Sequence, residues 1–189
     1  KDYNDMVDEV VKVIRGRTDD LIKDLDKKMN LASANMEFEK AAEIRDKIDQ
    51  LKIISSKQKV VSNDFEDRDV ISIAFEDKDS ACSVFNIRSG KLVGKKQLRL
   101  SLNGGEEIEE IYNSSIKFYY GDHVEIPKEI LIEVEPLEKE LLEEWLNQRA
   151  ERKVKIFVPQ RGALKALVSK CKENAILQLK EMQLQKMKK

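Results

Sequence analysis

Histidine, cysteine and tryptophan are nearly missing from this chain: of 189 residues, one is histidine, two are cysteine and one is tryptophan. The lone histidine, His123, follows Gly121-Asp122 and has no second ligand in sight, so it reads as a loop residue rather than a base or metal ligand. Cys82 and Cys171 stand far apart in apolar surroundings. That spacing excludes a zinc site of the usual kind, and each reads as a small core residue. Seven glycines build no phosphate-cradling loop, and no Ser-His-Asp set or Cys-His pair exists. No apolar run approaches the length of a membrane-spanning helix, and no signal peptide is present, so a cytoplasmic location is expected. The net charge is only −1, which argues against wholesale coating of a nucleic acid. The chain starts at Lys1 without methionine, which suggests a piece of something longer.

Charge of both signs is abundant: 38% of residues are charged and 41% are hydrophobic. Such a chain can bury a core, and its length suits one ordinary domain with a small appendage. Between residues 3 and 14, Met6, Val7, Val10, Val11 and Ile14 form a helical stripe that stops near Gly16. Thr18 then reads as an N-cap, with Asp19 and Asp20 in the first turn where the helix dipole favours acids. Leu21, Leu25, Met29 and Ala32 recur at helical spacing, and so do Phe38, Ala41, Ile44, Ile48 and Leu51. The connection at Asn35-Met36 is short, so these two helices must pack as an antiparallel hairpin. The seam is too narrow to bury itself alone. Ala41 and Ala42 leave room for another helix, and Phe38 lies at the tip. The expected boundaries are a helix over 1–16, the hairpin over 17–56 and a linker over 57–68.

From Asp69 the period changes to two. Strands are expected over 70–75, 81–87 and 92–102, joined by short turns at Asp77-Lys78-Asp79 and Ser89-Gly90 as an antiparallel meander. A helix over 106–119 should bury Ile108, Ile111, Tyr112, Ser115 and either Phe118 or Tyr119. A short strand over 130–134 follows, then a helix over 137–148 with Leu137, Leu141 and Trp145 inward. A strand over 154–158 leads into a long helix from Gly162 to about Lys186. The order β-β-β-α-β-α-β-α, with the last two strands parallel to the first, is that of the ribonuclease H-like fold. The expected fold class is therefore α+β: a helical hairpin followed by a ribonuclease H-like domain over 69–187.

The run Asn35-Met36-Glu37-Phe38-Glu39-Lys40-Ala41-Ala42-Glu43-Ile44-Arg45-Asp46 closely resembles the UVR motif, the helical hairpin shared by the UvrB and UvrC families of bacterial nucleotide excision repair. Further runs resemble the stretch that follows this motif in the UvrC family. They are Glu66-Asp67-Arg68-Asp69-Val70-Ile71, Tyr120-Gly121-Asp122, Ile126-Pro127-Lys128-Glu129-Ile130-Leu131 and Val158-Pro159-Gln160-Arg161-Gly162. The resemblance implies docking to UvrB through Phe38, Ala41, Ala42, Arg45 and Ile48, with weak self-association of the hairpin as a further possibility. It also implies a structural bridge between the nuclease parts of a DNA excision endonuclease, parts that this stretch does not itself contain. A regulatory adapter of a Clp protease or arginine kinase system is the alternative that the hairpin alone would fit.

A ribonuclease H-type nuclease clusters carboxylates around two divalent metals about 4 Å apart. The first strand, Val70 to Phe75, carries no acid, and Asp69 and Glu76 only flank it. Glu133 and Glu135 end the fourth strand. Glu133 reads either as a surviving metal ligand of an active nuclease or as a solvated strand-end charge, and without partner carboxylates the second reading prevails. The domain is expected to be catalytically silent, with no cofactor and no metal. Arg149, Arg152, Lys153, Lys155, Arg161 and Lys165 form a local basic run. Lys155, Arg161 and Lys165 are the candidates for DNA phosphate contact, because a helix opens at Gly162 and its first N–H groups favour an anion.

Overall fold

The computed structural model describes residues 2–14, 17–57, 61, 64–76, 78–102, 104–122 and 125–187. His123, Gly16, Asp77 and Asn103 lie outside them, as does part of the expected linker. The chain divides into two compact units, Lys1–Phe65 with Arg88–Val93, and Glu66–Ile87 with Gly94–Lys189.

The first unit holds α1 (Asp2–Ile14), α2 (Thr18–Ala34) and α3 (Phe38–Lys57). Leu21 and Leu25 of α2 meet Ile48 of α3 in a small core, with Met29, Ile44 and Leu51 packed around it. Both apolar stripes face each other as their spacing requires. Ser55 Oγ donates to Asp19 Oδ1 at 3.0 Å and closes the open end of the hairpin. Asp19 and Asp20 do stand in the first turn of α2, but Thr18 is not the N-cap. That position belongs to Arg17, whose carbonyl accepts from Leu21 N–H at 3.2 Å. The Thr18 side chain is instead fully buried, and its hydroxyl finds no partner among the described residues. On helix α1, Met6, Val7, Val10 and Ile14 are exposed, with Val10 and Ile14 edging a groove that Leu21 and Leu25 also line. The link of α1 to α2 includes Val13 at the core edge and Lys12 Nζ, 2.8 Å from Asp24 Oδ2.

At the tip, α2 ends in two interlocked bonds. Met36 N–H donates to Ser33 O at 3.0 Å and Glu37 N–H to Ala32 O at 2.9 Å. This Schellman pairing needs a left-handed residue between the helices, and Met36 supplies it at φ 62°. Glycine is the usual occupant, because a side chain in that conformation costs on the order of 1 kcal/mol.

Apart from Arg88 and residues 91–93, which fall in the first unit, the second unit is built on one sheet of order β3-β2-β1-β4-β5. The strands are β1 (Arg68–Glu76), β2 (Asp79–Arg88), β3 (Lys91–Ser101), β4 (Glu129–Ile132) and β5 (Lys155–Phe157). The helices are α4 (Ile108–Gly121), α5 (Lys139–Ala150) and α6 (Gly162–Met187). β1 pairs antiparallel with β2 and parallel with β4, which pairs parallel with β5. This is the expected ribonuclease H-like order, and β1 lies at the centre of the sheet.

Both faces of β1 are covered. Ile71 and Ile73 enter the main core with Tyr112 and Ile116 of α4 and Leu142 and Leu146 of α5. Each such fully buried aliphatic side chain contributes about 1.5–3 kcal/mol relative to exposure. On the opposite face Ala74 packs with Ala175 and Leu179 of α6, and Ser72 Oγ donates to Val168 O at 3.3 Å. Three expectations are corrected here. Leu137 and Leu141 are exposed, and the inward positions of α5 are Leu142 and Leu146. Leu137 precedes the helix, and two stripes one residue apart fit the same four-residue spacing, so periodicity could not choose between them. Of the two aromatics offered for α4, Tyr119 is the buried one and Phe118 is exposed, and Tyr112 and Tyr120 are buried as well. Finally, β1 begins two residues before Val70, so Arg68 and Asp69 belong to it.

Candidate functional site

The hairpin tip is an exposed apolar surface of the first unit. Phe38 opens α3 with 66% of its surface exposed, while Met36 and Leu31 stand at 78% and 64%. Leu31 and Met36 were not singled out from sequence. Leu31 falls off the stripe of Leu21, Leu25, Met29 and Ala32, and that displacement was the available signal. Ala41 and Ala42 are half-buried. Arg45 is exposed, with Nη2 2.9 Å from Asp46 Oδ1. Ile48 differs from its expected role. It is buried against Leu21 and Leu25, so it holds the two helices together and presents no surface to a partner.

The basic run separates into two kinds of residue. Arg149 Nη2 donates to Gly121 O at 3.0 Å and its guanidinium lies 5.2 Å from the centre of the Trp145 ring. Arg152 donates to Ile126 O. These two arginines serve as internal ties for the end of α4 and the approach to β4. Lys155 and Arg161 are exposed and Lys165 is half-buried in the first turn of α6. Gly162 starts α6 at φ 76°, a left-handed turn that a side chain would strain. Arg161 precedes this turn and Lys165 stands in the first turn that follows it.

The carboxylates Glu133, Asp69 and Glu129 of the second unit are occupied. Glu133 follows the end of β4, and its Oε2 lies 2.8 Å from Lys172 Nζ on α6. The same ammonium donates to Ile73 O at 2.7 Å. Asp69, placed at the end of the first strand by sequence, lies inside β1 with no exposed surface. Tyr120 Oη donates to its Oδ2 at 2.7 Å and Asn86 Nδ2 to its Oδ1 at 2.9 Å. Beside it, buried Arg68 grips Glu129 Oε2 with Nε at 2.9 Å and Nη2 at 2.7 Å. A buried carboxylate costs several kcal/mol unless compensated, and these donors compensate it. The Tyr120-Gly121 pair thus has a structural use: Tyr120 clamps Asp69, and Gly121 receives Arg149. Among the described residues no three His, Cys, Asp or Glu side chains are grouped to hold a metal ion. Burial pushes the Cys82 thiol up to about 12 and the Cys171 thiol up to about 11, values that suit inert core thiols rather than nucleophiles.

Comparison with known proteins agrees with this architecture part by part. The family described as the UvrC Ribonuclease H-like domain matches residues 67–182. The UvrB/uvrC motif matches residues 19–54, which covers the hairpin. UvrABC system protein C of Acetivibrio thermocellus is 38% identical over 181 residues, covering 96% of this chain and 29% of that protein. The protein of the same name from Caldanaerobacter subterraneus subsp. tengcongensis is 40% identical over 180 residues, covering 95% of this chain and 29% of its own length. The one from Thermoanaerobacter sp. is 42% identical, with the same two coverages. This chain therefore spans about 29% of the length of the curated relatives it matches. The chain belongs to the UvrC ribonuclease H-like domain family, and carries the UvrB/uvrC hairpin ahead of that domain.

Proposed function

We propose that this chain is the docking and bridging part of a UvrABC system protein C, acting in bacterial nucleotide excision repair. The hairpin binds UvrB, and the ribonuclease H-like unit serves as a scaffold between parts of the longer protein that cut DNA. The observation that carries this reading is the exposed tip, Leu31, Met36 and Phe38, on a hairpin of the UvrB/uvrC type. Three large apolar side chains gathered around the connection between α2 and α3 are costly to leave in water and suit a partner hairpin, which would complete a small four-helix packing. The scaffold role is supported by the pairing of Glu133 with Lys172 and of Asp69 with Tyr120 and Asn86. These carboxylates spend their charge on the fold rather than on a metal. An active nuclease using Glu133 is the less supported reading for that reason.

The test is UvrB affinity of Phe38→Ala against wild type, by calorimetry or interferometry. An aromatic anchor should cost about 2 kcal/mol or more on truncation. Unchanged affinity in a folded variant would sink the proposal. A parallel pull-down with UvrB and with a Clp ATPase separates repair from the adapter reading. Capture of the ATPase alone would favour the adapter.

A further inference from the structure

Residues 80–105 depart from the mixed charge of the rest of the chain. They contain no aspartate or glutamate, although 36 of the 189 residues are acidic, and they carry Arg88, Lys91, Lys95, Lys96 and Arg99. Lys95, Lys96 and Arg99 stand exposed on β3, an outer strand of the sheet. Consecutive residues of a strand point to opposite faces, and the two lysines do so. Lys95 Nζ lies 5.0 Å from the centre of the Phe85 ring. Phe85 stands opposite Val70, on the face that Ser72 and Ala74 turn to α6. Lys96 Nζ lies 5.3 Å from the centre of the Tyr119 ring of α4, on the other face.

Each ammonium thus rests on an aromatic ring, and among the described residues neither is paired with a carboxylate. Lys117, Lys139 and Lys172 of the same unit are each neutralised by a glutamate instead. A ring holds a cation through its quadrupole without cancelling its charge. The side chain is restrained before any partner arrives, which lowers the ordering cost of binding, and the full charge remains for an external anion. Arg99 is set apart, because it lines a groove with Glu106 and Glu110. Lysine on an outer strand ordinarily discourages a second strand from pairing there. That use needs neither ring, and it does not account for the lack of acids over the whole stretch.

We propose that the outer edge of β3 is a track for the sugar–phosphate backbone of DNA, held by Lys95 from one face of the sheet and by Lys96 from the other. Two cations that straddle an edge suit a polyanion laid along it, whose charges repeat whatever its sequence. An acidic peptide added as a further strand would have to present acids on both faces at successive residues, in register with the two lysines. The choice of DNA rests on the repair role proposed above. β5 forms the opposite edge of the sheet, so the track is separate from the basic run that begins at Lys155.

The test is fluorescence anisotropy of the whole chain on duplex and on single-stranded DNA of equal length, over a range of salt. Lys95→Gln combined with Lys96→Gln should lower the salt slope by about 1.8 on a duplex or about 1.4 on a single strand. The DNA whose slope falls is the one the track holds. Arginine at both positions keeps the charge and should keep the wild-type slope. Both side chains are exposed, so the glutamine pair should fold normally and bind UvrB as wild type does. Intact UvrB binding with an unchanged slope on both DNAs would overturn the track and leave the proposed function standing. A lowered slope in a chain that fails to bind UvrB would do the reverse. Polyglutamate binding that the glutamine pair abolishes, with the DNA slope unchanged, would mark an acidic protein as the partner and overturn the proposal. Self-association of the glutamine pair with an unchanged slope would return the lysines to guarding the strand edge.

Discussion

Lys172 Nζ lies 2.8 Å from Glu133 Oε2 and 2.7 Å from the carbonyl oxygen of Ile73, so one ammonium on α6 ties down both β1 and the end of β4. Both side chains of the pair are about a third exposed, 29% for Lys172 and 32% for Glu133, and solvent screening limits its worth. Removing the cation still strands a half-buried carboxylate and a carbonyl. Lys172→Met should therefore lower the unfolding free energy by about 1–2 kcal/mol, read from urea denaturation. Glu133→Gln should cost less, since an amide still accepts from the ammonium. Magnesium or manganese titrated into the wild-type chain should give no saturable heat, because Lys172 already neutralises Glu133. A saturable site abolished by Glu133→Gln would reverse this account.

Met36 holds a left-handed turn that glycine would hold without strain. Met36→Gly should stabilise the hairpin by about 0.5–1 kcal/mol, seen as a higher urea midpoint of the helical signal. The same substitution removes an apolar side chain that is 78% exposed. It should therefore weaken UvrB binding while strengthening the fold, and a variant that gained in both would show that Met36 plays no part at the interface.

Much of this arrangement was legible in the sequence. The spacing of Leu21, Leu25, Phe38, Ile44 and Ile48 gave the hairpin, and the change to a period of two at Asp69 gave the sheet and its order. The failures share one cause, which is that periodicity names a stripe without naming what covers it. Ile48 belongs to the hairpin's own core. Part of the stripe of α1 is left exposed, and Leu142 and Leu146 displace Leu137 and Leu141 inside α5. Asp69 was misplaced for another reason. A charged residue at the start of an apolar run reads as a strand end, whereas donors from Tyr120 and Asn86, 51 and 17 residues away, compensate its burial.

The Lys12–Asp24 pair fastens α1 to α2. The Lys12 ammonium, through its hydrogen bond first and its charge second, holds the Asp24 carboxyl below its ordinary value of 3.8. A depressed carboxylate contributes stability above its unfolded value and loses it as pH falls through the folded one. Acid titration below about pH 4 should thus release α1 from the hairpin in wild type. In Asp24→Asn this acid-linked loss should be missing, compared by helical circular dichroism between the two proteins. An identical acid profile would mean that the pair does not hold α1.

Arg161 and Lys165 stand at the start of α6, where among the described residues they make no tie like those of Arg149 and Arg152. If they meet phosphate, replacing both with glutamine should weaken DNA binding uniformly across sequences and reduce the salt slope by about two. The comparison is made by fluorescence anisotropy on damaged duplex over a range of salt. Lys155→Gln should lower the slope by about one more unit. No binding even at low salt, or an unchanged slope, would make the run a solvated face.

Cys171 Sγ sits 3.2 Å from Ser83 O and 3.4 Å from Val70 O, wedged between α6 and the sheet, while Cys82 of β2 is fully buried. Their thiols are pushed up to about 11 and about 12 by burial, so at pH 8 only about one molecule in a thousand or fewer carries a thiolate at either site. The thiolate is the reactive form, and both sites are also closed to a bulky reagent. An aromatic disulfide reagent at pH 8 should accordingly label neither cysteine in the native chain on the timescale of minutes, and both at once in guanidinium. Native labelling should track unfolding, so Lys172→Met, which loosens α6, should speed it in proportion to the lost stability. Rapid labelling of Cys171 in the wild-type chain would show that α6 opens locally, and that the packing of Cys171 against β1 and β2 is weaker than its contacts imply.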